Sequence, residues 1–402
     1  MRVYREFLRL PHAARLLGGT LLGRLPNGMG ALAIVLFARE HGGGYSLGGG
    51  LSAIWVVSMA LGQPTLGRAM DRFGQPRILF TSALAAAGGF TLLAFTGLDP
   101  LPVTIVAVVV AGFATPPLEA GLRALWPAVL PAPGQVRTAY AVDAAAQEMI
   151  FTLGPLLVVA AAVVSTEAAL ILTGLLGVAG TIVVTSSRPS QDWRGEPREA
   201  HWAGPLRSTG LRMLMGTLAC VGVALGAISV AVVTYADAHQ LAAASGVLLA
   251  ANAGGALCGG LVHGALRGRS TAFPLLVTCL AAGYLPLAAA PVFPFMVLLA
   301  FLAGVSLAPT LATAFTLVDM LAPRGTVTEA FAWLVTAMAL GAATGSALAG
   351  IAGDAAGPHA AFACAGASGL LALAICLLGR PTMPAAPEPA DHAAISLPDK
   401  SP

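Results

Sequence analysis

The chain has 402 residues and a net charge of +3; 57% of its residues are apolar and 10% are charged. Average soluble domains are about 45–50% apolar and about 25% charged, and this composition could not cover a soluble protein with polar groups. It therefore argues against a soluble enzyme. The 48 glycines and 28 prolines lie in an apolar chain, which excludes low-complexity disorder, and we expect the chain to lie in a lipid bilayer.

Twelve apolar runs are separated by charged residues, glycine or proline, and each is long enough to cross a bilayer as a helix. Backbone groups surrounded by lipid must bond to one another, which favours helices over other structures. The predicted spans cover roughly residues 14–38, 46–70, 78–98, 102–125, 138–163, 166–187, 211–236, 241–266, 272–290, 293–318, 328–352 and 358–379. The predicted fold class is an all-α membrane protein with twelve transmembrane helices.

The basic residues predict the topology. If the N-terminus lies inside, 19 of the 21 basic residues fall in cytoplasmic segments, whereas the outer loops hold mainly acidic residues. This asymmetry is the one that the positive-inside rule describes. The sequence therefore predicts a multi-pass protein of the cell membrane with both termini in the cytoplasm.

A polar stretch at residues 188–210 divides the spans six from six. It is predicted to be a cytoplasmic linker between an N-terminal bundle (1–187) and a C-terminal bundle (211–380), and the Pro/Ala-rich tail (381–402) is expected to be disordered.

The two predicted bundles share local sequence features at an offset of about 192 residues. Pro117 corresponds to Pro309 and Gly154 to Gly345, while the pattern Gly-x4-Gly begins at both Gly62 and Gly259. Duplicated halves of this kind are typical of transporters. The bundles are therefore predicted to be related by pseudo-two-fold symmetry.

One conspicuous motif lies between the second and third spans: Gly67-x3-Asp71-Arg72-x-Gly74-x2-Arg77. It resembles the loop signature of the major facilitator superfamily, and the number of spans extends the resemblance over the whole chain, as an exporter-like, actinobacterial-type member. Gln75 and Pro76 stand where the family has two basic residues. The resemblance implies a transporter whose two halves surround a central cavity and work by alternating access.

The resemblance also implies a role for this motif. In the family it holds the two halves together on the cytoplasmic side, against the start of the eleventh helix, here near Thr328 and Glu329. Asp71 would face the positive N-terminal end of that helix, while Arg72 and Arg77 stay in the headgroup zone. The alternative is that the arginines only determine topology.

Ionisable residues inside predicted spans are costly and therefore functional candidates. Arg24 and Glu148 each lie about 15 Å into their span, at 1.5 Å per residue. Because the first and fifth helices pack together in the family, Arg24 and Glu148 are predicted to form a midplane pair. The pair is either structural or a proton- or substrate-coupled switch, with Asp143 as the next candidate. Glu119 and Arg123, four residues apart, are predicted to form a local bridge at the cytoplasmic mouth.

Prolines are predicted to interrupt three of the helices that line the cavity in the family. An interruption leaves carbonyl groups free for a substrate, although kinked packing alone would also explain the prolines. The predicted breaks lie at Pro26 with Asn27, at Pro116 with Pro117, and at Pro309. In the fifth span, Gly154-Pro155 resembles part of the family's exporter signature, without its further glycines.

No phosphate-binding loop, zinc-ligand spacing or nucleophile motif is present, so no cofactor, metal or enzymatic activity is predicted. The sequence favours a secondary active transporter, with proton-coupled export of a small molecule as the first hypothesis. The alternatives are metabolite uptake by symport or facilitated diffusion, and a non-transporting sensor or scaffold. The predicted partners are the substrate, protons and the bilayer, without nucleic acid, and the chain is expected to be a monomer.

Overall fold

The computed structural model describes residues 6–7, 9–130, 132–195, 203–241, 244–265 and 272–382, and these residues contain helices and turns but no strand. The first half holds α1 (Ala13–Glu40), α2 (Tyr45–Phe73), α3 (Gln75–Thr96), α4 (Leu101–Phe113), α5 (Leu118–Val129), α6 (Pro133–Ala162) and α7 (Thr166–Thr185). The short α8 (Arg188–Asp192) follows. The second half holds α9 (Thr209–Ala238), α10 (Ala244–Ala265), α11 (Phe273–Tyr284), α12 (Phe293–Val305), α13 (Leu307–Leu321) and α14 (Val327–Gly379).

Twelve membrane spans can be assigned to these helices. Nine apolar segments of the described chain are long enough to cross a membrane, and one of them, Val327–Thr382, contains two spans because Ala356 and Gly357 leave helical geometry. The less apolar α2 and the shorter segment Phe273–Ala289 complete the set. The fold is all-α, with twelve transmembrane helices in two six-helix bundles.

The outer surface of the bundle is apolar. Phe95 is 80% exposed, Ile351 70%, Phe295 64% and Leu61 62%. A water-soluble protein rarely exposes so much contiguous apolar surface. These side chains therefore contact lipid tails, and the polar residues are left for the interior and the two ends.

Equivalent glycines repeat the same contacts in both halves. A Cβ atom at Gly62 would overlap the carbonyl oxygen of Phe113, the last residue of α4, and one at Gly259 would overlap that of Val305, the last residue of α12. In both halves a glycine thus lets one helix approach another closely. The partner residues differ by 192 positions, the offset that the sequence repeat predicts.

The fifth and eleventh spans show the same correspondence. A Cβ at Gly154 on α6 would come within 2.7 Å of the backbone of Gly28 on α1. At Gly345 on α14 it would overlap the carbonyl oxygen of Val223 on α9. The first helix of each half therefore packs against the fifth helix of the same half, without side chains between the two backbones.

The fourth and tenth spans are interrupted, but the first is not. Residues 114–117, including Pro116 and Pro117, separate α4 from α5, and Ser306, three residues before Pro309, separates α12 from α13. The predicted break in the first helix is wrong: α1 runs through Pro26 without interruption. A proline inside a helix removes one hydrogen bond, and neighbouring helices in a membrane can compensate for that loss.

The two halves meet at the end of the bundle where Arg72 and Arg77 lie, which we call the basic end. Thr336 on α14 donates a hydrogen bond to the carbonyl of Ala60 on α2 (2.9 Å). Thr138 on α6 donates to the carbonyl of Gly264 on α10 (3.4 Å). Thr336 is nine residues into α14, about 14 Å along the helix, so the closure reaches well into the bundle.

The predicted linker and the predicted tail lie partly outside the described residues. The parts outside are residues 196–202 of the linker and residues 383–402 of the tail.

Candidate functional site

Four buried charged side chains from the first, fourth and fifth spans form a closed ring. Arg24 contacts Asp143 Oδ1 through Nη1 (2.8 Å) and Glu119 Oε2 through Nη2 (2.9 Å). Arg123 contacts Asp143 Oδ2 through Nε (2.8 Å) and also pairs with Glu119. Each carboxylate thus bridges both guanidinium groups, so that the four formal charges cancel.

The ring is excluded from solvent. Arg24 is 3% exposed, Arg123 1% and Asp143 0%. Glu119 lies in the first turn of α5, whose N-terminal N–H groups favour a nearby negative charge. The interruption of the fourth span therefore places a helix N-terminus, and with it Glu119, beside the two arginines. The predicted Glu119–Arg123 bridge is present, but as part of this buried ring.

The ring differs from the predicted midplane pair. Besides the two carboxylates, Arg24 donates to Gln147 Oε1 (3.1 Å), one turn beyond Asp143 on α6. The side chain of Glu148 lies outside the described residues, so its pairing with Arg24 stays a prediction. Asp143, the second candidate from the sequence, is one of the two acids that join the arginines.

Arg24 of the ring and Asn27, further along α1, each carry a polar atom without a hydrogen-bond partner within the described residues. The two atoms are Nε of Arg24 and Oδ1 of Asn27, both buried. A buried donor and acceptor without partners are unfavourable unless water or a ligand satisfies them. The face of α1 between Arg24 and Asn27 can therefore accept a polar group.

Close packing also surrounds this face. Pro155 lies inside the continuous helix α6, directly after Gly154, whose contact with Gly28 holds α6 against α1.

Pro309 is buried in the first turn of α13, directly after the interruption of the tenth span. The fourth and tenth spans therefore both begin a new half-helix at corresponding positions of their bundles.

At the basic end, Asp71 binds the start of the eleventh span. The backbone N–H of Thr328 donates to Asp71 Oδ1 (3.2 Å) and that of Glu329 to Oδ2 (2.9 Å). Both donors belong to the first turn of α14, where N–H groups lack partners within the helix. The carboxylate thus binds unpaired donors and the positive end of a helix dipole.

The glycines of the motif permit this approach. A Cβ on Gly67 would lie 3.0 Å from Cβ of Ala332 and 3.2 Å from Cα of Glu329. Gly74 has φ +87°, a left-handed conformation that favours glycine. Arg72 and Arg77 are exposed. Gln75, where the motif departs from the family, is buried and donates to the carbonyl of Gly121 on α5 (3.0 Å).

Arg68 adds an ion pair that sequence reasoning missed. Its Nε and Nη2 contact Glu329 Oε1 at 3.0 and 2.5 Å. Arg68 stands one turn before Asp71, and this spacing could have indicated that both side chains face the same helix. We call Arg68, Asp71 and the first turn of α14 the latch.

A second contact between the halves was also missed. The Arg123 guanidinium lies over the ring of Phe315 on α13, 3.4 Å from its centroid. Tyr140 on α6 is hydrogen-bonded to Asp319 on α13. The charged ring in the first half therefore directly adjoins the closed interface with the second half.

No group of three or more His, Cys, Asp or Glu side chains among the described residues could hold a metal ion.

Comparison with known proteins identifies a family over nearly the whole chain. Residues 16–282 and 214–398 match the family described as Major Facilitator Superfamily. No curated protein matches.

Solved structures share the fold at low sequence identity. The human organic anion transporter MFSD10 (TETRAN) superposes with a TM-score of 0.66 at 17% identity, covering 91% of this chain and 100% of that one. A bacterial homologue of the iron transporter ferroportin, in an outward-facing state, gives 0.72 at 14% identity over 92% and 99%. A structure of a bacterial homologue of ferroportin in an outward-facing state with soaked iron gives 0.71 at 13% identity over 91% and 98%.

Proposed function

The chain belongs to the Major Facilitator Superfamily, and from this premise we propose that it is a secondary active transporter that exports a small molecule in exchange for protons. The two bundles would move relative to each other and expose a central site to one side of the membrane at a time. Membrane transport follows from the family, whereas the proton and the direction are our proposal.

The observation that carries proton coupling is the ring of Arg24, Glu119, Arg123 and Asp143. Ionisable groups buried in a membrane are rare and are typical of proton or substrate pathways. The ring is neutral only while both acids are ionised, so a proton on either one leaves an excess positive charge inside the bundle. Such a change would weaken the contacts of the arginines and alter the packing of three spans.

We propose that the protein lies in the plasma membrane and that its basic end faces the cytoplasm. The distribution of arginines supports this orientation, and it places both termini inside. The latch then closes the cytoplasmic side in the structure. In this conformation, bound substrate would be released to the outside.

The support for export is the resemblance of Gly154-Pro155 to part of the family's exporter signature. The rival hypothesis is uptake by symport, which would use the same charges. In export by exchange the substrate moves opposite to the protons that enter the cell, whereas in symport it moves with them. Transport measured in cells therefore separates the two hypotheses. A sensor or scaffold would move no compound at all.

The test is accumulation of ethidium, chloramphenicol and norfloxacin in bacteria that lack their own exporters. Cells producing the wild type should accumulate less of at least one compound than cells with Asp143→Asn at equal membrane abundance. A protonophore should remove the difference. Asp237→Asn, at an exposed site far from the ring, should behave as the wild type. Greater accumulation with the wild type would indicate uptake, and equal accumulation of every compound tested would contradict the proposed export.

A further inference from the structure

Tyr140 makes hydrogen-bonding contacts to two oxygen atoms on different halves of the protein. Its hydroxyl lies close to Asp319 Oδ2 on α13 and 3.2 Å from the carbonyl oxygen of Arg123 on α5. Tyr140 is fully buried. A phenolic hydroxyl has a single hydrogen to donate and can also accept a hydrogen bond, so the two contacts cannot both receive that hydrogen.

The Arg123 carbonyl requires a donor because of Pro127. In an α-helix each carbonyl accepts from the N–H four residues later, and the residue four positions after Arg123 is Pro127, inside α5. Proline has no N–H. The Tyr140 hydroxyl is placed to supply the missing hydrogen bond, and the phenolic hydrogen is then directed to α5.

The contact between Tyr140 and Asp319 then needs a hydrogen of its own. A carboxylate can only accept, whereas a protonated carboxyl group has one hydrogen to donate. If Asp319 is protonated, its O–H donates to the Tyr140 oxygen, and the Tyr140 O–H donates to the Arg123 carbonyl. Both contacts are then satisfied, in a chain of hydrogen bonds that runs from the second half into the first.

In the part of the chain that the structure describes, no cation is paired with Asp319. The residue lies partly buried between the halves. An ionised carboxylate in such a position, without a cation, is unfavourable.

The other described ionisable groups on the helices packed against α13 make contacts of their own or have no ion pair to Asp319. On α5 and α6, Arg123 and Asp143 belong to the charged ring, and Arg137 stands one turn before Tyr140 without an ion pair to Asp319. On α10, His263 lies 3.5 Å from the Thr313 hydroxyl. On α14, Glu329 is paired with Arg68, and on α9, Arg212 donates to Thr209. Arg324 is exposed beyond the end of α13, and α11 and α12 carry no Asp, Glu, Lys, Arg or His.

We propose that Asp319 is a proton-binding site of the gate at the basic end, and that its protonated form holds the two halves together through Tyr140. The proposal rests on the alternating access described under the proposed function. When the halves separate, Asp319 loses Tyr140 and meets water, where its proton is released. Protonation and closure are therefore linked, and acidic conditions favour the closed conformation.

The test is the distance between spin labels at Ala132→Cys and Arg324→Cys, one exposed site in each half at the basic end. The full chain, with its five native cysteines replaced, is placed in lipid nanodiscs between about pH 5 and about pH 9, a range that covers shifted carboxyl pKa values. The closed, short-distance population should fall as the pH rises, and one linked proton changes the open-to-closed ratio by up to about tenfold per pH unit.

Two variants identify the group responsible. Asp319→Asn carries an amide that can donate to Tyr140, so it should stay closed at every pH. Tyr140→Phe removes the hydroxyl and should lose the pH response while remaining folded. Asp192→Asn, an exposed acid at the same end, should respond as the wild type does.

Other results would overturn the proposal. A wild-type distance distribution that does not change with pH would exclude a proton-linked gate. An Asp319→Asn variant with the full wild-type pH response would assign the linkage to another group, such as His263. Because the measurement involves no transported compound, it can fail while export in the cell assay succeeds, and the reverse also holds.

Discussion

At the scale of single residues, Asp143 is, with Glu119, one of the two acids that contact both buried arginines. Each oxygen of its carboxylate accepts from a different guanidinium group, Arg24 or Arg123, at 2.8 Å. Removing one member of a buried ionic group leaves the others without compensation, which is more harmful than removing a matched pair. Asp143 is therefore the residue at which structural and coupling roles can be separated.

Asp143→Asn should lower the free energy of unfolding by about 3–5 kcal/mol, since two buried arginines then share one acid. The double variant Arg24→Gln with Asp143→Asn leaves Arg123 paired with Glu119 and should recover most of this loss. Thermal unfolding of the purified protein in detergent measures both effects, with Asp237→Asn as the control. A single variant as stable as the wild type would show that the ring contributes no such ionic stabilisation.

The ring also shows where sequence reasoning at this scale stops. The depth of Arg24 in its span, and the presence of an acid at a similar level of the fifth span, could be read from residue counts. Depth does not determine the direction in which a side chain leaves its helix. That Asp143 on α6 contacts both arginines depends on the rotation of α6 about its axis, which residue counts do not give. The Tyr140–Asp319 contact was beyond reach because it depends on how the two halves meet.

At the scale of secondary-structure elements, the latch joins the end of α2 to the start of α14. The contact of Asp71 with this helix could be predicted, because the loop motif resembles that of a known family. The resemblance implied both the acid and the helix start that it contacts, near Thr328 and Glu329. The interruptions of the fourth and tenth spans coincide with predicted prolines. Pro26 could not be judged from sequence, since a proline interrupts a helix only where its surroundings fail to compensate for the lost hydrogen bond.

Asp71→Asn should weaken closure at the basic end, because a charge at a helix N-terminus contributes about 0.3–2 kcal/mol. With a cysteine reporter at Ala332, which faces Gly67 across the closed interface, the rate of modification by a thiol reagent should rise. Arg72→Gln removes an exposed charge and should leave the rate unchanged. If Asp71→Asn behaves like Arg72→Gln, the motif determines topology and does not act as a latch.

Glycine contacts between helices give an element-scale prediction for the second half. Gly345→Val should destabilise the protein by about 1–3 kcal/mol, a usual cost of overpacking, because its side chain would overlap the Val223 carbonyl of α9. Gly350→Val, on the same helix with no atom within 4 Å of an added Cβ, is the matched control. Equal unfolding temperatures for the two variants would contradict the close contact between α9 and α14.

At the scale of the whole molecule, the structure combines a closed basic end with a neutral, buried ring of charges. The number of spans, their division into two halves and the internal repeat could be read from hydropathy and spacing, because the bilayer fixes helix length and the repeat preserves glycine positions. The conformation could not be read, since the hydropathy pattern and the repeat are the same whether the basic end is closed or open. Tyr140 and Arg123 connect the charged ring to the interface between the halves. A change of charge in the ring can therefore alter the closure of that interface.

The most direct measurement of the central claim is flux driven by a proton gradient in proteoliposomes that contain only this protein. The probe is the compound of the cell assay with the largest difference in accumulation, supplied radiolabelled, with and without an imposed pH gradient. The wild type should concentrate it above equilibrium only with the gradient, while Asp143→Asn, compared per folded molecule, should allow exchange without concentration. A wild-type flux that is the same with and without the gradient would contradict proton-coupled transport.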